Sequence, residues 1–406
     1  VKKFRQLALA VSLFITGSLP ALAQSSTESL TLMTTKDADM KALTEIVNDS
    51  DLKVMRDIYS TRGHFHIVEL QAKKGTLAEG QKKLIAKKSA SIRSLEVTPK
   101  TKFEATPVVF PNDPNSPLQY SLSVMNFNTA LKVLASTGGH QRTNPHITLI
   151  DSGIKPFPGE MDQIAQYNFV GGANGIPETP FDSGQHGTAV SSLAASTTNN
   201  KTLLAGVGTN RLPVAVTMCR ISNDGSTIST FDVLDALTWC IDNQVLRGGP
   251  GAVSVSLNST APPTYNGSSV IQNLALELRQ QGDLMVNGSG NTGTEDPSPE
   301  QYLRRVGATD QNNLQASFST FGPFLAYAPG VSIASLDALT NGIFFVSGTS
   351  LSTPNWAGSV AFLQSLNPRL TAPQADSIIF DTATITSQGF HLPNIARAVT
   401  RALATH

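Results

Sequence analysis

Cysteine is almost missing. Two residues, Cys219 and Cys240, serve a chain of 406, which excludes a disulfide scaffold. The sequence gives no Cα separation for them, so pairing and two buried free thiols both stay open. Charge is scarce at 15% and sums to a formal zero. No basic excess points to a nucleic-acid partner. Long apolar runs are lacking too. The stretch from Leu7 to Leu19 is short for a bilayer, and no segment of spanning length follows it, so no membrane anchor is expected.

What the chain does hold is 40% hydrophobic residues among many Gly, Ser, Thr and Asn. That composition describes a compact, loop-rich protein with enough length for one large core and a smaller module. Val1-Lys2-Lys3-Phe4-Arg5 is basic, the apolar run follows, and Ala21-Leu22-Ala23 precedes Gln24. Residues 1–23 therefore read as a secretory leader. Valine at position 1 reads as a translated GUG start, hinting at a bacterium. The expected destination is extracellular, with the periplasm as the alternative, and both are oxidising.

Residues 24–109 differ from the rest. Helical periodicity marks Asp39–Val47 and Ala78–Lys88, and alternation marks His64–Leu70. Ile92–Val97 is a further strand candidate in this small α+β module. His64 and His66 share a strand face without a third ligand nearby, so they read as surface histidines rather than a metal pair. Basic residues exceed acidic ones by three here, whereas acidic ones lead by six after Val109. Opposite signs favour docking of one part on the other. Pro107–Pro114 is proline-rich and reads as an extended linker.

From residue 110 onward, short apolar runs alternate with helical patterns. The strand candidates are Ile147–Ile150, Val214–Met218, Ala252–Leu257, Leu284–Val286, Leu303–Gly307, Phe324–Ala328 and Ile343–Val346. Continuous apolar strands with helices between them predict an α/β fold, a mostly parallel, doubly wound sheet covered on both faces. Such sheets bind ligands beyond the carboxyl ends of their strands.

Four candidates fall in those settings. Asp151 leaves a buried strand, His186 opens a helix of very small residues, Asn291 lies in a Gly/Asn turn after a strand, and Ser350 follows the apolar run Phe344-Phe345-Val346 and opens another helix. Each has an ordinary alternative: an Asx turn, a helix-end histidine, a turn former and a helix cap. Asp182, just before the His186 helix, suits a solvated loop or a cap. Together the four order themselves as Asp, His, Asn, Ser. A nucleophile, its base, an orienting carboxylate and an amide donor are the parts that acyl transfer needs. No G-x-S-x-G elbow occurs, and the order Asp, His, Ser excludes the α/β-hydrolase arrangement.

The motifs resemble the subtilisin family of serine proteases. Thr148-Leu149-Ile150-Asp151-Ser152-Gly153-Ile154, His186-Gly187-Thr188, Gly288-Ser289-Gly290-Asn291 and Gly348-Thr349-Ser350-Leu351-Ser352-Thr353-Pro354 carry the likeness, which spans about residues 110–406. Val306–Asp310, Ala316–Ser319 and Ala328–Val331 add to it. The resemblance implies a serine endopeptidase with Ser350 as nucleophile, His186 as base, Asp151 as its orienter, and Asn291 with the Ser350 amide as oxyanion hole. It implies protein or peptide substrates paired along Ser256-Leu257-Asn258 and along the turn holding Gly225 and Ser226, and a monomer. It also implies that residues 24–109 are a pro-domain acting in cis, released near Ala105–Phe110.

Departures are Asn258 where the family often has glycine, Ala189 where a second histidine is common, and Leu351-Ser352 for Met-Ala. No cofactor is needed for the chemistry. Asn199-Asn200 resembles the family's calcium loop, with altered length and without carboxylates, so a calcium ion stays open as a ligand there. Two rivals remain open here: a binding protein on a dead scaffold of this family, and an esterase using the same triad.

Overall fold

The computed structural model describes residues 28–35, 38–60, 64–87, 89–99, 111–258 and 264–405. The expected leader over 1–23 and the expected cleavage region, Ala105–Phe110, lie outside them. The chain divides into two compact units, Val1–Pro107 and Val108–His406.

In the first unit β1 (Glu28–Thr34), α1 (Met40–Asp49), β2 (Leu52–Ser60), β3 (Phe65–Ala72), α2 (Leu77–Ala86) and β4 (Ile92–Pro99) form an α+β module. Its antiparallel sheet runs β2-β3-β1-β4. Alternation in β1 sends Leu30 and Leu32 inward, where they meet Leu43 and Val47 of α1 and Leu84 of α2. Thr76 and Glu79 form a capping box that starts α2. His66 Nδ1 donates to the Asp57 carboxylate at 2.8 Å, as a surface pair.

The second unit is built on an eight-stranded sheet. After α3 (Tyr120–Val124) and α4 (Phe127–Thr137) come β5 (His146–Asp151), β6 (Ile164–Asn168), β7 (Ile176–Glu178) and α5 (His186–Ala195). Then follow β8 (Ala215–Arg220), α6 (Thr230–Asp242), β9 (Ala252–Val255), α7 (Ser269–Gln280), β10 (Leu284–Gly288), β11 (Arg304–Thr309) and β12 (Tyr327–Pro329). A hairpin, β13 (Ile333–Leu336) and β14 (Ile343–Val346), leads into α8 (Thr349–Leu366), and α9 (Ala372–Asp381), β15 (Thr384–Ile385), β16 (His391–Leu392) and α10 (Ile395–Ala404) close the chain.

The strand order is β12-β11-β10-β9-β5-β8-β6-β7, and every pairing is parallel except β6 with β7. The period of two divides each central strand between two cores. Ile147 and Leu149 of β5, with Leu284 and Val286 of β10, face α4, α5, α8 and α10. Ile150, with Val253, Val255 and Met285, faces α6 and α7. That two-sided burial is why these strands read as continuous apolar runs.

α8 is buried along all 18 residues. One expectation changes, and one open alternative is decided. Ile343–Val346 is a strand, but it pairs with β13 outside the main sheet and leaves Phe345 56% exposed, so it is no buried strand end. Cys219 and Cys240 are both buried and free, their sulfurs 3.9 Å apart. No helix among the described residues is long and apolar enough to cross a membrane.

Candidate active site

Asp151 is the last residue of β5 and is 2% exposed. Its Oδ1 accepts the N–H of Ser152 at 2.7 Å and faces His186 Nδ1 at 2.8 Å. With the carboxylate accepting, the proton of a neutral ring sits on Nδ1 and Nε2 keeps its lone pair. Asp151 Oδ2 is buried and has no partner. Burial works against a charge on the His186 ring. The charge of Asp151, its hydrogen bond and the charge of Asp182 outweigh that, so His186 titrates above the ordinary histidine value.

His186 is placed by the turn before α5. Gly187 is needed there because a Cβ would stand 2.0 Å from the carbonyl oxygen of Gly153. Asp182, expected in a solvated loop, is buried at 8% exposure and joins the two sides. Its Oδ1 accepts the Ser152 hydroxyl at 2.9 Å and the Gly184 N–H at 3.0 Å. Its Oδ2 accepts the N–H and the hydroxyl of Thr188. Ser152 Oγ in turn accepts the Gly187 N–H at 2.9 Å. Asp182 is not the N-cap, which is Gln185, though it accepts an N–H of the first turn of α5. The solvated half of the expectation fails because its partners come from the turn after β5 as well as from α5.

Ser350 is the second residue of α8, 9% exposed, and the N-cap position of that helix is Gly348, which has no side chain to cap it. α5 packs against α8. A Cβ on Gly348 would lie 3.0 Å from Ser350 Oγ and 3.5 Å from Asn291 Nδ2, so hydroxyl and amide flank one small space kept clear by a glycine. Thr349 sets the amide's direction. Its N–H and hydroxyl donate to Asn291 Oδ1 at 2.9 and 3.1 Å, which leaves Nδ2 as the outward atom. Pro354 lacks the N–H that would close on the Ser350 carbonyl. The Ser256 hydroxyl takes that carbonyl instead, at 3.1 Å.

The other substrate-edge candidates fall on either side. Leu257 and Asn258 continue β9 and are half-buried. Gly225 and Ser226 lie in a turn braced by Asp224, whose Oδ1 accepts the N–H groups of Thr227 and Ser226 at 2.7 and 2.9 Å. Those bonds hold Asp224 well below the usual carboxylate range. The turn touches the loop before His186: a Cβ on Gly184 would stand 2.5 Å from the Gly225 nitrogen.

The loop at Asn199-Asn200 does not lack carboxylates. Asp113 and Glu160 reach it from elsewhere in the chain. Asp113 accepts the N–H groups of Asn199 and Asn200 at 2.8 and 3.1 Å. Glu160 Oε1 accepts the hydroxyl of Thr202 and the N–H of Leu204 at 2.6 and 3.3 Å. The side-chain oxygens of Asn112, Asn199 and Asn200 also accept backbone N–H groups. Calcium needs six to eight oxygens. All of these are turned onto protein donors except Glu160 Oε2, which is buried without a partner; one free side-chain oxygen does not make the set that ion needs.

A comparison with protein families matches residues 142–398 to the Subtilase family. An alkaline protease of Alkalihalobacillus alcalophilus is 33% identical over 244 residues, 59% of this chain and 58% of that protein. Subtilisin Savinase of Lederbergia lenta is 32% identical over 244 residues, with 82% of its length covered. The chain thus spans less than two thirds of the first relative and most of the second. A solved protease from Pseudoalteromonas arctica PAMC 21717 superposes with a TM-score of 0.56 at 21% identity, over 72% of this chain and 100% of that one, a likeness of fold. Thr349, Thr188 and Ser152 support the matched residues and had no role of their own in the sequence, where Asp182 read only as a loop or cap residue. The one local signal was position, since each lies within four residues of Asp151, His186 or Ser350.

Proposed function

Because the chain belongs to the subtilase family, we propose that it is a serine endopeptidase that cleaves proteins through an acyl-enzyme. The observation that carries this is the 2.8 Å contact of Asp151 with His186 Nδ1, together with a hydroxyl and an amide flanking Gly348. Ser350 Oγ attacks the substrate carbonyl while His186 Nε2 takes its proton. Negative charge on the carbonyl oxygen is met by Asn291 Nδ2 and the Ser350 N–H at the positive end of α8. The C–N bond then breaks, and the leaving amine takes the proton from His186. Water repeats the sequence and frees the acid. Asp151 keeps the ring in its Nδ1–H tautomer and stabilises the imidazolium without taking the proton.

The peptide pairs in extended form along Ser256-Leu257-Asn258 and Gly225-Ser226, where backbone bonds give affinity. Residues 1–23 direct export, residues 24–109 act as a pro-domain on the same chain, and 110–406 is the protease, working as a secreted monomer. Calcium has no part in this reading.

Mass spectrometry of the purified chain beside Ser350→Ala tests it. Wild type trimmed near residue 110 and an unprocessed variant are expected. A fluorophosphonate probe should label Ser350. Failure to label, with casein left intact, overturns the proposal in favour of a binding protein; ester hydrolysis without casein hydrolysis favours an esterase.

A further inference from the structure

Strands β9 and β10 lie side by side and parallel, paired as far as Val255 with Asn287. Both chains run on past this pairing, as 256–258 and 288–291. The first is fastened to the backbone of Ser350 through the Ser256 hydroxyl. The second ends at the Asn291 amide. A carbonyl carbon held between Ser350 Oγ and Asn291 Nδ2 stands beside the crevice between these two continuations.

That crevice is bridged. Asn258 Nδ2 donates to the carbonyl of Ser289 at 2.8 Å, and Asn258 Oδ1 accepts the N–H of Tyr265 at 3.1 Å. Ser289 is fully buried and Tyr265 nearly so. The same amide nitrogen lies 2.9 Å from where a Cβ of Gly290 would stand, so the far wall has no slack. A side chain held at both ends does not swing aside without leaving a buried carbonyl and N–H unpaired.

We propose that the side chain on the acyl side of the cleaved bond enters this crevice, and that Asn258 is a crossbar that closes it and restricts the enzyme to peptides with a small residue (glycine, alanine or serine) there. The inference rests on the endopeptidase reading above. A large apolar side chain meets a bonded amide instead of an open apolar slot, and a polar group left without its partner discriminates more sharply than a missing methylene does.

The test uses the full chain as purified and a peptide nitroanilide series that differs only in that residue. Alanine is expected to exceed phenylalanine by at least about 100-fold in kcat/KM. Asn258→Gly should raise the phenylalanine-to-alanine ratio of kcat/KM about tenfold or more. Labelling of Ser350 by a fluorophosphonate certifies that the variant is folded; if it is not, the wild-type preference and Asn258→Ser decide. Wild type that cleaves phenylalanine or leucine as well as alanine overturns the crossbar and leaves the endopeptidase standing. Absence of all hydrolysis and of labelling overturns both.

Discussion

Asp182 holds Thr188 twice, accepting its backbone N–H at 2.8 Å and its hydroxyl at 2.6 Å. Through Ser152 the same carboxylate also reaches the turn that follows Asp151. A second buried acid, besides Asp151, thus fixes where His186 stands. Asp182→Asn keeps one acceptor and removes the charge. The lost alignment should lower plateau kcat/KM about ten- to a hundredfold. The charge raises the pKa of His186 in the wild type, and the base works in its neutral form. Its removal must therefore move the acid limb of the pH–rate profile to lower pH. A limb that stays in place while only thermal stability falls would reduce Asp182 to a structural role.

Much of the architecture was legible where burial is two-sided. β5, β9 and β10 read as apolar runs because both faces pack. β6 escaped because Gln166 interrupts its pattern; its amide is buried and bonded to Glu178 and to the backbone of Ile154. The Asp182 network and the two carboxylates at the Asn199 loop escaped for a related reason. Their partners lie far off in sequence, so a residue that looks solvated by its neighbours is enclosed by the fold. Asp151 and His186 could be joined on paper only by chain order, whereas the 2.8 Å contact joins them in space.

The four site residues should differ in cost when replaced. The scale is taken over from subtilisin, a member of the same family. Ser350→Ala and His186→Ala should each lower kcat on the order of 10⁶-fold, and removing the Asp151 carboxylate about 10⁴-fold. Asn291→Ala should cost about 10²–10³-fold, because the Ser350 amide still meets the oxyanion. Steady-state kinetics on one peptide ester decide the order. Full kcat in the Asn291 variant would remove it from the oxyanion hole.

Gly348 offers a test of the space itself. A methyl there would lie 3.0 Å from Ser350 Oγ and 3.5 Å from Asn291 Nδ2. Gly348→Ala should therefore cut kcat at least about tenfold by displacing the reacting carbonyl, with slower fluorophosphonate labelling to match. Unaltered labelling would mean that the hydroxyl and the amide face elsewhere.

The last prediction concerns stability. Glu160 is 1% exposed, and burial, opposed by the Thr202 and Leu204 bonds and aided by the Asp113 charge, pushes its carboxyl up to about 7. A folded pKa above the unfolded value of about 4.5 means that the fold prefers the proton. The associated stability is whole below pH 4.5 and is lost as pH rises through 7. Across that window the loss is at most roughly 3 kcal/mol. Glu160→Gln replaces the carboxyl by a neutral amide and removes the titration. In a Ser350→Ala background, which prevents self-digestion, the melting temperature of the Gln variant should fall less between pH 5 and 8 than that of its Glu160 parent. Parallel pH profiles for the two would show that Glu160 binds no extra proton in the folded state.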